Sequence, residues 1–212
     1  KKLAIMAFSP VNVRGKTMEH RGTVPIDTKR LLLRRFTAND IQHAFDNWTS
    51  DSRVTEFLRW PTHRDITVTE TVLKSWIENY KDKTFYQWGI VLKEIDEPIG
   101  TISVVDMDEK TSKVHIGYCI GSKWWNKGYT SEAFSEIIPF FFHKVKAKRI
   151  ESQHDPENPN SGKVMEKCGL SFEGVLRKAD WSNRGIVDAA MYSLLAEDYD
   201  KATGSIPICP DA

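Results

Sequence analysis

Residues 114–132 read VHIGYCIGSKWWNKGYTSE, and this segment joins a predicted strand to a predicted helix through a turn that contains glycine. β-Branched and aromatic residues favour a strand over Val114 to Ile120. Apolar residues then recur at helical spacing from about Thr130 to His143, although Pro139 predicts a bend in that helix. A strand over Lys148 to Gln153 follows, and a strand-helix-strand unit of this kind predicts a right-handed parallel crossover.

The segments on either side predict antiparallel strands and helices of ordinary length. The Thr67-x-x-Glu70 spacing predicts a capping box at the start of one helix. In chain order the predicted elements outside the crossover are a strand at Arg30–Arg34, helices at Thr37–Trp48, near residues 50–58 and from Thr67, strands at Phe85–Leu92 and Pro98–Val105, a helix at Asn158–Lys167, and strands at Phe172–Leu176 and Ile186–Leu194. This order predicts an α+β fold with a mixed, mostly antiparallel sheet.

Length and composition predict one globular domain. The 212 residues suit a single core, which we place at residues 25–200, with a tail at 201–212. Residues 1–24 are expected to form an irregular arm or an added strand at the edge of the domain. The net charge of +1 gives no general attraction to nucleic acid or membranes, and no stretch approaches the length of a membrane-spanning helix. The three widely spaced cysteines argue against disulfides and structural zinc, which favours a reducing cytoplasm.

The turn at residues 121–131 has the chemistry of an anion site. The first N–H groups of a helix lack internal partners and carry the positive end of its dipole, so residues 127–131 are expected to accept a phosphate or pyrophosphate. Lys123 and Lys127 would add positive charge. The alternative is structural: Gly128 permits the turn, and Thr130 or Ser131 caps the helix.

Two segments together carry a family resemblance. They are WNKGYTSEA at residues 125–133 and NPNSGKVMEKCGL at residues 158–170. This pairing resembles the GCN5-related N-acetyltransferase (GNAT) superfamily, particularly its RimJ/RimL-like branch, and the likeness extends over roughly residues 26–199. It implies the GNAT fold, with helices on both faces of the sheet, and acetyl-CoA (coenzyme A) as the cofactor.

The resemblance implies a set of cofactor-binding residues. Trp125, Gly128 and Thr130 take the three defined places of the family's pyrophosphate loop, and the first and last of them depart from its usual residues. The family's strand before the loop pairs its backbone with the pantetheine arm. The implied contacts are Tyr118, Cys119, Ile120, Lys123, Asn126, Lys127, Gly128, Tyr129, Thr130, Ser131, Asn158 and Ser161. For Asn158 the alternative is a simple helix cap.

Catalytic roles follow from the same resemblance. Ser161 is expected near the cofactor sulfur, where it could donate a hydrogen bond to the leaving thiolate, and the RimL-like pattern makes Asp180 the first choice of general base. The alternative for Asp180 is an ordinary carboxylate at the end of a strand. Asp188, Tyr118 and Glu56 are weaker choices. His115 and His154 are interpreted as structural, and Cys119 and Cys168 as buried apolar residues. For the acceptor site the expected residues are Arg59, Trp60, His63 and Arg64.

The predicted function is direct transfer of an acetyl group from acetyl-CoA to a primary amine through a ternary complex. The acceptor is either a protein N-terminus or a small-molecule amine, since one fold serves many acceptors. The alternative is a non-catalytic acyl-CoA-binding or regulatory module. No metal, nucleic acid or membrane partner is expected, and a homodimer stays open.

Overall fold

The computed structural model describes residues 18–204, which form an eight-stranded sheet in the order β1-β2-β3-β4-β5-β6-β8-β7. Neighbouring strands are antiparallel throughout, except that β5 and β6 run parallel. The predicted mixed sheet with one parallel crossover is therefore confirmed. The strands are β1 Ile26–Asp27, β2 Leu31–Arg34, β3 Gln87–Leu92, β4 Glu97–Asp108, β5 Lys113–Ile120, β6 Arg149–His154, β7 Ser171–Ser182 and β8 Gly185–Leu195.

Helices cover both faces of the sheet. The first three pack on one face, and α4 and α5 pack on the other. None of the helices within residues 18–204 combines the length and apolar character needed to cross a membrane. The helices are α1 Ile41–Ala44, between a 3-10 turn at Ala38–Asp40 and a π-helical turn at Phe45–Thr49, α2 Ser52–Thr55, α3 Ile66–Asn79, α4 Tyr129–Pro139, α5 Pro159–Lys167 and α6 Ala196–Thr203.

Two apolar cores stabilise this arrangement. The larger lies between α4 and the sheet, where Phe134, Phe141 and Trp88 are fully buried. The smaller lies under α1 and α3 around Trp48 and Leu73. Each large side chain removed from water contributes about 1.5–3 kcal/mol of transfer free energy, so both faces hold their helices firmly against the sheet.

The start of α3 corrects one sequence prediction. The helix begins at Ile66, and Asp65 is its N-cap residue, with its carboxylate accepting the Thr67 N–H at 2.8 Å. The predicted capping box at Thr67 and Glu70 is therefore wrong. An aspartate two residues earlier satisfies the free N–H groups of the first turn, so the helix starts before Thr67.

Pro139 ends the regular part of α4. The helix continues beyond it as a π-helical segment, Phe140–Val145, which extends the chain without a break. Proline has no N–H to donate to the preceding turn, and the π-helical segment begins directly after it. The predicted disturbance thus takes the form of a change in helix type.

Both ends of the described chain contact the domain. Residues 18–24 contain no helix or strand, yet Met18 and Thr23 are buried. β1 and α6 were not predicted from the sequence, and α6 runs from the predicted domain into the predicted tail. The rest of the predicted arm and tail, residues 1–17 and 205–212, lies outside the described residues.

Candidate active site

β5 and β6 pair for only a short distance before they separate. Their register covers residues 113–115 against 149–151, although both strands continue for several residues. Where they part, the buried Ser152 donates its hydroxyl hydrogen to the Ile116 carbonyl oxygen at 2.8 Å, so a side chain replaces the backbone bond. The separation opens a cavity of about 860 Å³, within the ~300–1,000 Å³ typical of small-molecule sites.

β5 turns one backbone edge toward this cavity. The Gly121 N–H donates to the Ile99 carbonyl oxygen on the β4 side at 2.8 Å. Successive residues of an antiparallel pair direct their polar groups to opposite edges, so Tyr118 and Ile120 present theirs to the β6 side. The Ile120 carbonyl oxygen accepts a bond from the Trp125 indole nitrogen at 2.9 Å. Tyr118 therefore offers the backbone edge inside the opening.

The turn before α4 leaves helix N–H groups free. Gly128 precedes the helix with φ +77°, and the Glu132 N–H donates to its carbonyl oxygen at 3.0 Å. The N–H groups of residues 129–131 therefore have no partner inside the helix, and these residues line the cavity. The prediction that Thr130 or Ser131 caps α4 is wrong, because Gly128 occupies the cap position in a left-handed conformation.

A half-buried carboxylate fixes this turn to the start of β2. Glu132 accepts bonds from the Thr28 hydroxyl at 2.6 Å, the Arg30 N–H at 2.8 Å and the Arg30 guanidinium at 2.6 Å. Arg30 also donates to the Lys127 carbonyl oxygen at 3.0 Å and lies 4.3 Å from the Tyr129 ring centroid. Burial alone would raise the pKa of Glu132, but the bonds from Thr28 and Arg30 outweigh it, so the pKa is lowered.

The predicted lysines do not line the cavity. Lys123 and Lys127 are exposed, and Lys123 lies over the ring of the following tryptophan at 5.8 Å. Asn126, with φ +59°, does line it. The lysines that line the cavity are Lys163 and Lys167 on α5, which the sequence did not single out because helical lysines usually face solvent.

α5 borders the opening opposite β5. Asn158 occupies the N-cap position of α5, as the structural alternative predicts, but its side chain makes no capping hydrogen bond. Both Asn158 and Ser161 line the cavity. The Tyr118 hydroxyl donates to the Ser161 carbonyl oxygen at 2.9 Å and ties α5 to β5 across the gap. Burial raises the pKa of Tyr118 well above its ordinary value, which keeps this donor protonated.

The opposite face of β5 forms the floor of a second compartment. The Tyr118 ring centroid lies 5.7 Å from that of an α4 phenylalanine, so strand alternation turns His115 and Cys119 toward the α1–α3 side. Trp60 and Trp76 line the cavity on that side. One cavity therefore runs from the α4 turn to an aromatic compartment.

Asp180 reaches this compartment from β7. Its carboxylate is 15% exposed and lies 2.7 Å from the Arg59 guanidinium. It also accepts the Gln153 side-chain amide and the Trp181 N–H, the latter at 2.7 Å. Donors thus already occupy both carboxylate oxygens of Asp180.

The β7–β8 turn holds the segment between α2 and α3 over the cavity. The Asn183 N–H donates to the Leu58 carbonyl oxygen at 3.0 Å. The Asn183 side-chain amide donates to the carbonyl oxygens of Thr55 and Trp60, both at 2.8 Å. Backbone and side-chain groups from two distant parts of the chain thus close one wall of the compartment.

Comparison with known proteins assigns the family. The model of the acetyltransferase (GNAT) domain family matches residues 30–171, more than half of the chain. The chain belongs to the GNAT acetyltransferase family. N-acetyltransferase p20 of Bacillus licheniformis, itself uncharacterized, is 30% identical over 81% of this acetyltransferase and 96% of its own length.

Solved structures share the fold of this GNAT acetyltransferase. A GNAT-family acetyltransferase from Bacillus anthracis superposes with a TM-score of 0.72 at 27% identity, covering 82% of this chain and 99% of that one. RimL, a ribosomal L7/L12 alpha-N-protein acetyltransferase solved with coenzyme A, superposes with a TM-score of 0.73 at 16% identity, with the same coverage. The family makes this protein an N-acetyltransferase with acetyl-CoA as cosubstrate.

The residues of this acetyltransferase suit that cosubstrate. A pyrophosphate needs clustered donors, and the free N–H groups at the start of α4 supply them. A pantetheine arm carries amide groups, and the open edge of β5 at Tyr118 can pair with them. At the start of the turn, the backbone of Gly121 packs closely against the Asn47 carbonyl group. A Cβ on Gly121 would lie 2.1 Å from that carbonyl oxygen, so only glycine fits there.

Some of the residues predicted for the acceptor site or as weaker candidates for the base line the cavity, and others do not. Arg59, Trp60 and Glu56 line the cavity. His63 does not, because it is buried and its Nδ1 lies 2.8 Å from the Thr69 hydroxyl. Arg64 and Asp188 are also absent from the lining.

The cysteines are poor nucleophiles. Burial raises the pKa of Cys119 to about 12 and also raises that of Cys168. Both thiols are free, and a protonated thiol attacks weakly. Cys168 is buried, in agreement with its interpretation, whereas Cys119 is half-buried, and Cys209 lies outside the described residues.

Proposed function

We propose that this acetyltransferase moves an acetyl group from acetyl-CoA directly to a primary amine while both are bound. The observation that carries the proposal is the single cavity that joins the α4 turn to the aromatic compartment. A shared cavity lets amine and thioester meet without a covalent enzyme intermediate. The high pKa of Cys119, about 12, also argues against such an intermediate on that thiol.

The cofactor would lie along β5 and α5. In this proposal the free N–H groups of residues 129–131 bind the pyrophosphate, supported by Asn126 and Gly128. The Tyr118 backbone and the uncommitted Asn158 side chain bind the pantetheine arm. Lys123 and Lys127 act only through their charge at the surface. Acetyl-CoA itself supplies the activated acetyl group.

Ser161 and Asp180 receive different roles. Ser161 lies in the cavity wall where its hydroxyl can donate to the leaving sulfur. Asp180 is the base that the sequence favours, but its oxygens already accept hydrogen bonds, one from Arg59 and Trp181 and the other from Gln153. We assign it to positioning, since its bonds to Arg59 and Gln153 fix the wall above the acceptor.

The acceptor is an amine that the aromatic compartment admits, either a protein N-terminus or a small molecule. RimL, described as acting on the alpha-amine of a ribosomal protein, supports the first choice by analogy of fold. Acetyl-CoA chemistry and the two free thiols suit the reducing cytoplasm, where we propose that the protein works.

The test is release of coenzyme A thiol across a panel of peptide N-termini, polyamines and aminoglycosides, with an amine-free control. At least one amine is expected to accelerate release and to appear as its acetylated product. Acetyl-CoA binding without acceleration by any amine would favour a non-catalytic acyl-CoA-binding module. A failure to bind acetyl-CoA would overturn both.

A further inference from the structure

Amide formation at the acceptor needs a proton acceptor in the aromatic compartment. A primary amine is mostly protonated at neutral pH, and its nitrogen attacks only after it loses a proton. A general base must face the cavity and carry a free lone pair. The side chains that line the compartment can be compared on this criterion.

Most basic groups of the cavity wall are already engaged. Arginine side chains bind the carboxylates of Asp180, Asp155 and Glu157. The His154 Nδ1 donates to the Asp155 carbonyl oxygen at 2.8 Å, and its free Nε2 lies against Gly162 on α5, away from the aromatic compartment. Glu56 is exposed at the surface. Each of these groups is therefore paired with an arginine, turned toward α5 or exposed to solvent.

His115 has an unpaired ring nitrogen that faces the compartment. It lies on the floor of the compartment where β5 leaves β6, and its side chain is 13% exposed. Its nearest carboxylate oxygen, on Glu151, is 4.0 Å from Nδ1, which is too far for a hydrogen bond. We propose that His115 is the general base that takes the proton from the acceptor amine, an inference that rests on the proposed function.

The groups around His115 keep its imidazole neutral. Burial lowers the pKa of His115 and outweighs the pull of Glu151 in the other direction, while Arg59 from the α2–α3 segment lowers it further. Asp106, its register partner on β4, acts to raise the pKa, and Lys113 acts to lower it.

Two cationic side chains offset the negative charge of the Glu151 carboxylate. Lys113 lies 3.0 Å from one of its oxygens, and Arg149 lies 2.7 Å from the other. Its ability to hold His115 in the charged form is therefore weakened. At neutral pH the imidazole is a base with a free nitrogen.

Protons and bonds balance in this step. The ammonium transfers one proton to His115, and the neutral nitrogen forms a bond to the acetyl carbonyl carbon. The carbon–sulfur bond then breaks, and the second proton lost by the nitrogen ends on the coenzyme A sulfur. His115 returns its proton to water, so one proton is released per acetyl group transferred.

The test replaces His115 by glutamine, which keeps its size and polarity but cannot take up a proton. H115Q is expected to lower kcat/KM about 10²–10⁴-fold at pH 7 and to leave the Kd for acetyl-CoA unchanged. The acidic limb of the wild-type pH profile should match the His115 pKa measured by NMR in the free protein, below the ordinary value of about 6.5.

Two further variants sharpen the result. H143Q is the matched control, because that histidine is exposed and bonded to Asp200 at the other end of the domain, and it should keep wild-type kinetics. D180N should raise the acceptor KM and retain the acidic limb.

Two outcomes would overturn the role of His115 but not the proposed function. One is that H115Q retains wild-type kinetics, and the other is that D180N abolishes the acidic limb of the pH profile. If H115Q does not fold, a mismatch between the NMR pKa and the acidic limb of the wild type would do the same. A wild type that binds acetyl-CoA but acetylates no amine would overturn the proposed function and this inference together.

Discussion

Gly128 and Gly169 adopt the same left-handed backbone in different surroundings. Their φ angles are +77° and +85°. Gly128 lines the cavity at the start of α4, whereas Gly169 follows α5, and a Cβ added there would meet no atom within 4 Å. An L-residue in this conformation costs about 1–2 kcal/mol wherever it occurs. Substitutions at these two glycines therefore distinguish the effect of backbone strain from the effect of lost ligand contact.

Gly128→Ala should weaken acetyl-CoA binding at least about tenfold, because the N–H groups of residues 129–131 depend on this turn; about 1.4 kcal/mol corresponds to that change. It should also lower the free energy of unfolding by about 1 kcal/mol. Calorimetric titration and thermal unfolding measure the two effects.

Gly169→Ala is the control for that change. It should cause a similar loss of stability and leave the Kd for acetyl-CoA unchanged, since this residue lies outside the cavity lining. Equal weakening of cofactor binding by both substitutions would show that strain, and not the α4 turn, accounts for the effect.

At the scale of elements, α4 is positioned by one carboxylate. Glu132 joins the first turn of the helix to Thr28 and Arg30 before β2, and Arg30 in turn holds the Lys127 carbonyl group. The Glu132 side chain is 16% exposed, so solvent screens these bonds only in part. The turn that is proposed to bind the pyrophosphate thus depends on contacts between residues 102 positions apart in the chain.

Glu132→Gln should lower the free energy of unfolding by about 1–3 kcal/mol at pH 7, because buried donors lose a charged acceptor. The folded pKa of Glu132 is lowered from 4.5, so its contribution is present above that pH and is lost as the pH falls below it. The difference between variant and wild type should therefore shrink in acid. Denaturant unfolding at several pH values measures it.

Glu136→Gln on the same helix is the matched control. Glu136 is exposed, and its replacement should change stability by less than about 0.5 kcal/mol at every pH. A loss for E132Q that stays constant down to about pH 3, below the ordinary range of a glutamate, would contradict the assigned role of the carboxylate.

At the scale of the whole molecule, the β7–β8 turn closes the acceptor compartment. Asn183 bonds three carbonyl groups between Thr55 and Trp60, and Asp180 binds Arg59 in the same segment. These contacts join the C-terminal half of the domain to its N-terminal half. The wall of the compartment is therefore assembled only when the entire domain folds.

Asn183→Ala should loosen this wall. We expect faster amide hydrogen exchange over residues 55–60 and a several-fold higher acceptor KM, with the acetyl-CoA Kd unchanged. Asn79→Ala, at the exposed C-terminal end of α3, is the control and should alter neither. Unchanged exchange over residues 55–60 in N183A would contradict the role of these hydrogen bonds.

The sequence predicts the elements of this fold well because local patterns determine them. β-Branched runs indicate the strands of the sheet, and helical spacing indicates α4 and α5. Partners distant in sequence are not predictable in this way. Asp180 resembles a free base in the sequence because its neighbours along the chain give no sign of its ion pair. Its partner, Arg59, is 121 residues away.

The position of His115 could not be predicted from the sequence for the same reason. A single histidine in a strand is usually structural, and only the separation of β5 from β6 places this one in a cavity. Lys123 and Lys127 are expected at the site from their position in the turn, yet both side chains are exposed. Side-chain direction at such positions depends on packing between elements, which local periodicity does not encode.

We propose that acetyl-CoA binds between β5 and α5 with its pyrophosphate at the start of α4. Amide hydrogen exchange with and without acetyl-CoA is the direct test of this placement. We predict slower exchange at residues 118–120 and 128–132, with no change across β1 to β3. Unchanged exchange in both segments at saturating acetyl-CoA, or protection confined to another part of the chain, would contradict the claim.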